Sequence, residues 1–166
     1  MILAFGDSLT NGFGVGHEFS YPSQIEIKSN HKVINAGVDG EFSSEALIRL
    51  PALLEYKPQV VILCHGANDL LNGFSAQELK ENLLNMIHLI QNTKVKIVLV
   101  GVPDFTAQDF STHQLYRELA DETDVVLEDE VLTRIAYDDE LRNDFVHPNE
   151  KGYEMMANAF IEILEV

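Results

Sequence analysis

A doubly wound α/β sandwich is the fold class this sequence predicts, on two observations. Five short aliphatic or β-branched runs recur along the chain, at 2–5, 32–35, 59–64, 95–100 and 124–127, with segments of helical period between them. The third and fourth runs are apolar on both parities, as central parallel strands covered by helices on both faces require. Strand alternating with helix then gives a parallel sheet between two helical layers.

The elements follow in order. The first run, Ile2-Leu3-Ala4-Phe5, stops abruptly at Gly6-Asp7-Ser8. Helices are expected near 20–29 and 43–55, on either side of the second strand. After the third strand, Ser75-Ala76-Gln77-Glu78 reads as a capping box. It introduces a helical stripe of Leu79, Leu83, Met86, Ile87 and Ile90. A further helix is expected near 110–121, before the fifth strand. Behind Pro148, Tyr153, Met156, Ala157, Phe160 and Leu164 form a last stripe. No repeat, low-complexity tract or linker interrupts this pattern, so residues 1–166 read as one domain.

Composition narrows the partners. A hydrophobic share of 46% and a charged share of 23% are those of an ordinary soluble globule. The formal net charge of −16 repels phosphate backbones and anionic headgroups, which argues against nucleic acid and acidic membrane surfaces as partners. Cys64 is the one cysteine, so neither an intramolecular disulfide nor a thiolate metal cluster is expected, and its apolar run reads as core. Met1 already belongs to the first strand, with no signal peptide before it, and no stretch reaches the length of a bilayer span. The expectation is a cytoplasmic protein without membrane insertion.

In a sheet of this kind ligands bind outside the carboxyl ends of the strands, where strand order reverses. Gly6-Asp7-Ser8 follows the first strand, Asn35-Ala36-Gly37-Val38-Asp39-Gly40 the second, and His65-Gly66-Ala67-Asn68-Asp69 the third. These segments should converge on one rim. Taken alone, Ser8 reads as a helix cap, because Ser and Asp favour that position. The stretch is neither G-x-S-x-G nor a phosphate-binding loop.

A nucleophilic serine needs a base, and six histidines compete. His17, His31 and His113 fall in loops or turns, and His88 on an amphipathic helix. His65 adjoins the rim, but no acid is evidently placed to orient it. His147 differs, because Asp144 precedes it by three residues, on the same side of a turn. That carboxylate, read as buried beside the ring, would receive Nδ1–H and leave Nε2 to accept a serine proton. The alternative is a helix entrance, with His147 simply preceding Pro148. For a developing oxyanion, the candidates are the N–H groups of Ser8 and Gly40 and the Asn68 side-chain amide. Gly40 as a turn glycine and Asn68-Asp69 as an Asx turn are the structural alternatives.

Together, Gly6-Asp7-Ser8-Leu9, Gly40, Gly66-Ala67-Asn68-Asp69 and Asp144-x-x-His147 resemble the four-block signature of the SGNH hydrolases, also called the GDSL esterase/lipase family. The resemblance spans nearly the whole chain. It is closest to the thioesterase I / lysophospholipase / arylesterase branch, notably at Val33-Ile34-Asn35-Ala36 and Arg49-Leu50-Pro51-Ala52-Leu53-Leu54. It implies a flavodoxin-like three-layer sandwich with a five-stranded parallel sheet. The implied roles are Ser8 as nucleophile, His147 as base and Asp144 as orienting acid. Ser8, Gly40 and Asn68 would supply the oxyanion hole, with no metal or other cofactor. Asp7 and Asp69 read as loop-holding residues. Phe145 stands where relatives often carry Gly, which puts an aromatic beside the pocket.

The expected reaction is hydrolysis of a small-molecule carboxylic ester or thioester through an acyl-enzyme, on short- to medium-chain acyl groups. Leu70, Leu71, Phe74 and Phe145 are candidate walls of the acyl pocket, as is Pro103-Asp104-Phe105-Thr106-Ala107. Two rival readings remain at this point. One is a carbohydrate acetylesterase of the same family. The other is a non-catalytic flavodoxin-like module that binds a ligand or partner at the same rim.

Overall fold

A computed structural model describes residues 1–166. Five strands, β1 (Ile2–Gly6), β2 (Val33–Gly37), β3 (Val60–Cys64), β4 (Lys96–Val100) and β5 (Val126–Glu128), form one parallel sheet in the order β2-β1-β3-β4-β5. Gly6 lies opposite both Gly37 and Cys64, so the first three strands end level. All of β1 is buried, as are β3 and β4 except at their first residues. The apolar pattern on both parities therefore meant a sheet covered on both faces.

The helices are α1 (Ser8–Asn11), α2 (Tyr21–Ser29), α3 (Ser43–Leu54), α4 (Ala67–Leu71), α5 (Ala76–Gln91), α6 (Gln114–Thr123), α7 (Val131–Tyr137) and α8 (Glu150–Leu164). On one face α8 packs against α2 and α7; on the other α5 packs against α3 and α6. The buried apolar side chains join into one cluster running through both interfaces. The stripe of Leu79, Leu83, Met86, Ile87 and Ile90 is the buried face of α5, whose first turn Ser75 caps by accepting the Glu78 N–H at 3.1 Å. No helix is long and apolar enough to cross a membrane.

Three details depart from the sequence reading. Helix α6 begins at Gln114 rather than near 110, because Pro103 and Thr112 pair across the preceding loop. His113 then caps the helix, its Nδ1 accepting the Leu115 N–H at 3.2 Å. Helices α4 and α7 were not expected. They have five and seven residues, too few for a periodic stripe to stand out.

The chain leaves β1 for β2 on one side, then crosses back to β3 on the other. Strand order reverses between β1 and β3, and the crevice beyond their carboxyl ends is the binding position of such a sheet.

Candidate active site

Ser8 opens the short helix that follows β1. Asp7 caps it, its Oδ1 accepting the Leu9 N–H at 3.0 Å. Asp7 is fully buried, and burial pushes its carboxyl above the usual range while the Leu9 N–H works the other way. Two neighbouring helices hold the segment. The Tyr153 hydroxyl from α8 donates to Phe13 O at 3.0 Å and lies 3.5 Å from Ser8 O, and Thr10 Oγ1 bonds the Tyr21 hydroxyl from α2 at 3.0 Å. The serine is thus fixed at its backbone, with its hydroxyl facing the crevice side chains.

That hydroxyl meets His147. Ser8 Oγ lies 2.9 Å from His147 Nε2, across 139 residues of chain. On the far side of the ring, Nδ1 lies 2.9 Å and 3.0 Å from the two Asp144 oxygens. Asp144 Oδ1 also accepts the Val146 and His147 N–H groups at 2.8 and 2.7 Å, so the carboxylate builds the turn that presents the ring. An acceptor-only partner at Nδ1 places the ring hydrogen there and leaves Nε2 as a base. Asp144 is not the buried group the sequence suggested, since its side chain is 49% exposed. Burial pushes its carboxyl up, but the two backbone N–H groups and the His147 ring outweigh it and hold it below the usual range. Helix α8 starts only at Glu150, capped by Asn149, so His147 and Pro148 lie ahead of the helix entrance.

Three N–H groups are candidates to receive an oxyanion. The N–H groups of Ser8 and Gly40 find no acceptor within the protein. Gly40 sits at φ +74, a conformation that L side chains rarely adopt, in open space where a Cβ would touch nothing. Conformation, not crowding, calls for glycine there. Asn68 Nδ2 donates to Glu41 O at 3.1 Å, and its second N–H has only the distant Asp7 Oδ2 at 3.5 Å. That hydrogen is available to an incoming oxygen.

The remaining histidines lie elsewhere. His17 contacts Ser23 Oγ, His31 contacts Ser29 O, His88 is exposed on α5 and His113 caps α6. His65 does have an acid after all: its Nε2 lies 3.2 Å from Glu41 Oε2, with the imidazole fully buried. Asp69 accepts the Ser43 N–H and hydroxyl, pinning the start of α3 beside α4.

Residues 4–155 match the family model described as GDSL-like Lipase/Acylhydrolase. The chain belongs to this family. It is 30% identical over 167 residues to an arylesterase of Vibrio mimicus, covering 94% of this chain and 84% of that protein. With the thioesterase 1/protease 1/lysophospholipase L1 of Escherichia coli it shares 27% identity over 175 residues, covering 99% and 83%. Among solved structures, the psychrotrophic esterase EstA from Pseudoalteromonas sp. matches with a TM-score of 0.84 at 28% identity, over 99% of this chain and 98% of that one. AlinE4, an SGNH-hydrolase family esterase, matches with a TM-score of 0.77 at 32% identity, over 99% and 94%. This SGNH chain is a carboxylic ester hydrolase with a flavodoxin-like fold, and neither rival reading is favoured.

Exposed apolar side chains lie near the SGNH residues along the chain. Phe74 packs on Phe42 at 4.7 Å between ring centroids, and both Phe74 and Leu71 are partly exposed. Leu70 is not a wall; it belongs to the buried core. Phe145, next to Asp144, is half exposed and meets Phe110 edge-on at 4.8 Å, with buried Phe105 6.4 Å from its ring centroid. Phe13 lies against the His147 ring at 4.6 Å. Phe13, Phe42, Phe110 and Glu41 went unremarked in the sequence. Phe13, Glu41 and Phe42 were signalled only by lying within a few positions of a motif, and Phe110 by nothing local.

Proposed function

We propose that Ser8 is the nucleophile of this hydrolase, His147 its general base and Asp144 the acid that orients the ring. The N–H groups of Ser8 and Gly40 and the Asn68 amide receive the oxyanion. One observation carries the reading: an unbroken hydrogen-bonded chain from Asp144 through His147 to Ser8 at the crevice between β1 and β3. As Oγ bonds to the acyl carbon, its proton passes to Nε2 and the carbonyl electrons move onto oxygen, facing the three donors. Collapse expels the alcohol or thiol, which takes the proton from Nε2. A water then repeats the sequence on the acyl-enzyme and frees the acid.

The substrate is a small, uncharged ester or thioester of a short- to medium-chain acid. Phe42, Phe74 and Leu71 together with Phe110 and Phe145 offer apolar walls of limited extent. The net charge of −16 disfavours polyanionic leaving groups and nucleic acid alike. Residues 1–166 act as one catalytic domain, in keeping with the single core. A panel of p-nitrophenyl esters, acyl-CoAs, lysophospholipids and acetylated sugars tests this with the wild type and Ser8→Ala. Short and medium p-nitrophenyl esters should be turned over fastest, and Ser8→Ala should lose roughly a thousandfold or more in kcat. Preference for acetylated sugars, or a variant retaining about a tenth of the activity, would overturn the reading.

A further inference from the structure

Beneath the rim lies a buried charged cluster that the triad does not touch. The Glu41 side chain is only 6% exposed. Arg49 grips it with two bonds, Nε to Oε1 at 2.6 Å and Nη2 to Oε2 at 2.7 Å, and His65 Nε2 adds a third contact. Burial alone would push the Glu41 carboxyl up, but His65 and Arg49 outweigh it and hold it below the usual range. The same guanidinium lies 4.3 Å over the Phe5 ring, with Nη2 2.8 Å from Ala36 O and 3.2 Å from Gly6 O. Arg49 therefore ties Glu41 to the carboxyl ends of β1 and β2. Because a carboxylate only accepts, His65 carries its hydrogen on Nε2. This leaves Nδ1 buried without a partner, which costs stability and so marks the Glu41 contact as the one the ring is built around.

We propose that Glu41 is a positioning residue for the oxyanion hole: its side chain, anchored by Arg49 and His65, fixes the turn whose backbone sets both Gly40 and Asn68. The proposal rests on the roles given to Gly40 and Asn68 above. Glu41 follows Gly40 directly, so the Gly40 peptide moves with it. Its carbonyl holds one N–H of the Asn68 amide at 3.1 Å and so sets the orientation of the amide, whose other N–H has only Asp7 Oδ2 at 3.5 Å. Beyond that anchor the turn is held by the Glu41 N–H to Val38 O at 3.3 Å, the Val38 N–H to Gly6 O at 3.1 Å and the Asn11 amide to Asp39 Oδ1 at 2.9 Å, the last two before Gly40, with Val38 and Gly40 both exposed. Two of the three oxyanion donors thus depend on one anchored residue. A misplacement of about 1 Å at a reacting centre costs on the order of a hundredfold in rate.

The test uses Glu41→Ala and the near-isosteric Glu41→Gln beside wild type and Ser8→Ala. Kinetics on p-nitrophenyl butyrate are normalised to active sites by fluorophosphonate titration, and affinity for an alkyl boronic acid, which bonds to a serine Oγ as a tetrahedral adduct, is measured in parallel. Glu41→Ala should lower kcat per active site roughly tenfold to a hundredfold with KM within about threefold. Boronate affinity should fall by a similar factor, and Glu41→Gln should lie between the two. A kcat per active site like that of wild type would overturn the proposal, even if the titrated fraction drops. So would a fall in kcat without a fall in boronate affinity. If Glu41→Ala does not fold, Glu41→Gln is judged by the same two measurements. An active Ser8→Ala would instead defeat the roles on which the proposal rests, independently of Glu41.

Discussion

Asp144 does two jobs with one carboxylate, bonding the His147 ring and closing the backbone turn that carries it. Asp144→Asn should cut kcat roughly a thousandfold or more, because an amide at Nδ1 no longer fixes the tautomer. Stability should respond as well. The folded-state value of Asp144 is depressed, so its contribution is fully present above the unfolded carboxylate value of about 4 and is lost as pH falls through the lower folded value. Thermal melts across pH should show wild type above Asp144→Asn near neutrality and the gap closing under acid. A gap that stays constant with pH would contradict the assignment. Ser8 and Asn68 were legible as candidates in the sequence because they sit in short motifs at strand ends, and Asp144 and His147 because they are three residues apart just ahead of the last helix. Glu41 and Phe13 were not. Of their partners, His65 and His147 come from distant segments and Arg49 from the helix that follows Glu41, at a spacing that carries no motif.

Helix α1 is a single turn, and its position depends on its neighbours more than on its own hydrogen bonds. β2 approaches it so closely that a Cβ on Gly37 would fall 2.1 Å from Asn11 N and 2.8 Å from Asp7 O, both backbone atoms. Gly37→Ala must therefore push α1 away from the sheet and carry Ser8 with it. The expected result is a loss of about 1–3 kcal/mol of stability together with at least a tenfold fall in kcat per active site. Denaturant melts and titrated kinetics check it; an unchanged kcat per active site would mean that α1 is held independently of β2. The strands and the longer helices were readable to within a few residues, since burial on two faces and a 3.6-residue stripe leave clear patterns. Helix α7 buries Val131, Leu132, Ile135 and Ala136, but seven residues show that pattern only once. The start of α6 was set by a loop closure between Pro103 and Thr112, a tertiary event with no local signature.

At the scale of the molecule, the strand order does the assembling. α8 packs on the same face as α2, which delivers the segment before α8 to the end of β1 and brings Asp144 and His147 over Ser8. Alternating strand and helix predicted the layers, whereas the order β2-β1-β3-β4-β5 with its reversal beside β1 became visible only in three dimensions. The pairing of the two chain ends was legible only through the resemblance to the SGNH hydrolases; residue spacing alone left a helix entrance equally open. The central claim is that this arrangement makes Ser8 nucleophilic through His147. Fluorophosphonate labelling followed by intact mass and peptide mapping tests it most directly. One adduct per chain is predicted, on the peptide containing Ser8, forming roughly a hundredfold or more slowly in His147→Ala. Labelling of another serine, or none in protein that still hydrolyses esters, would contradict it.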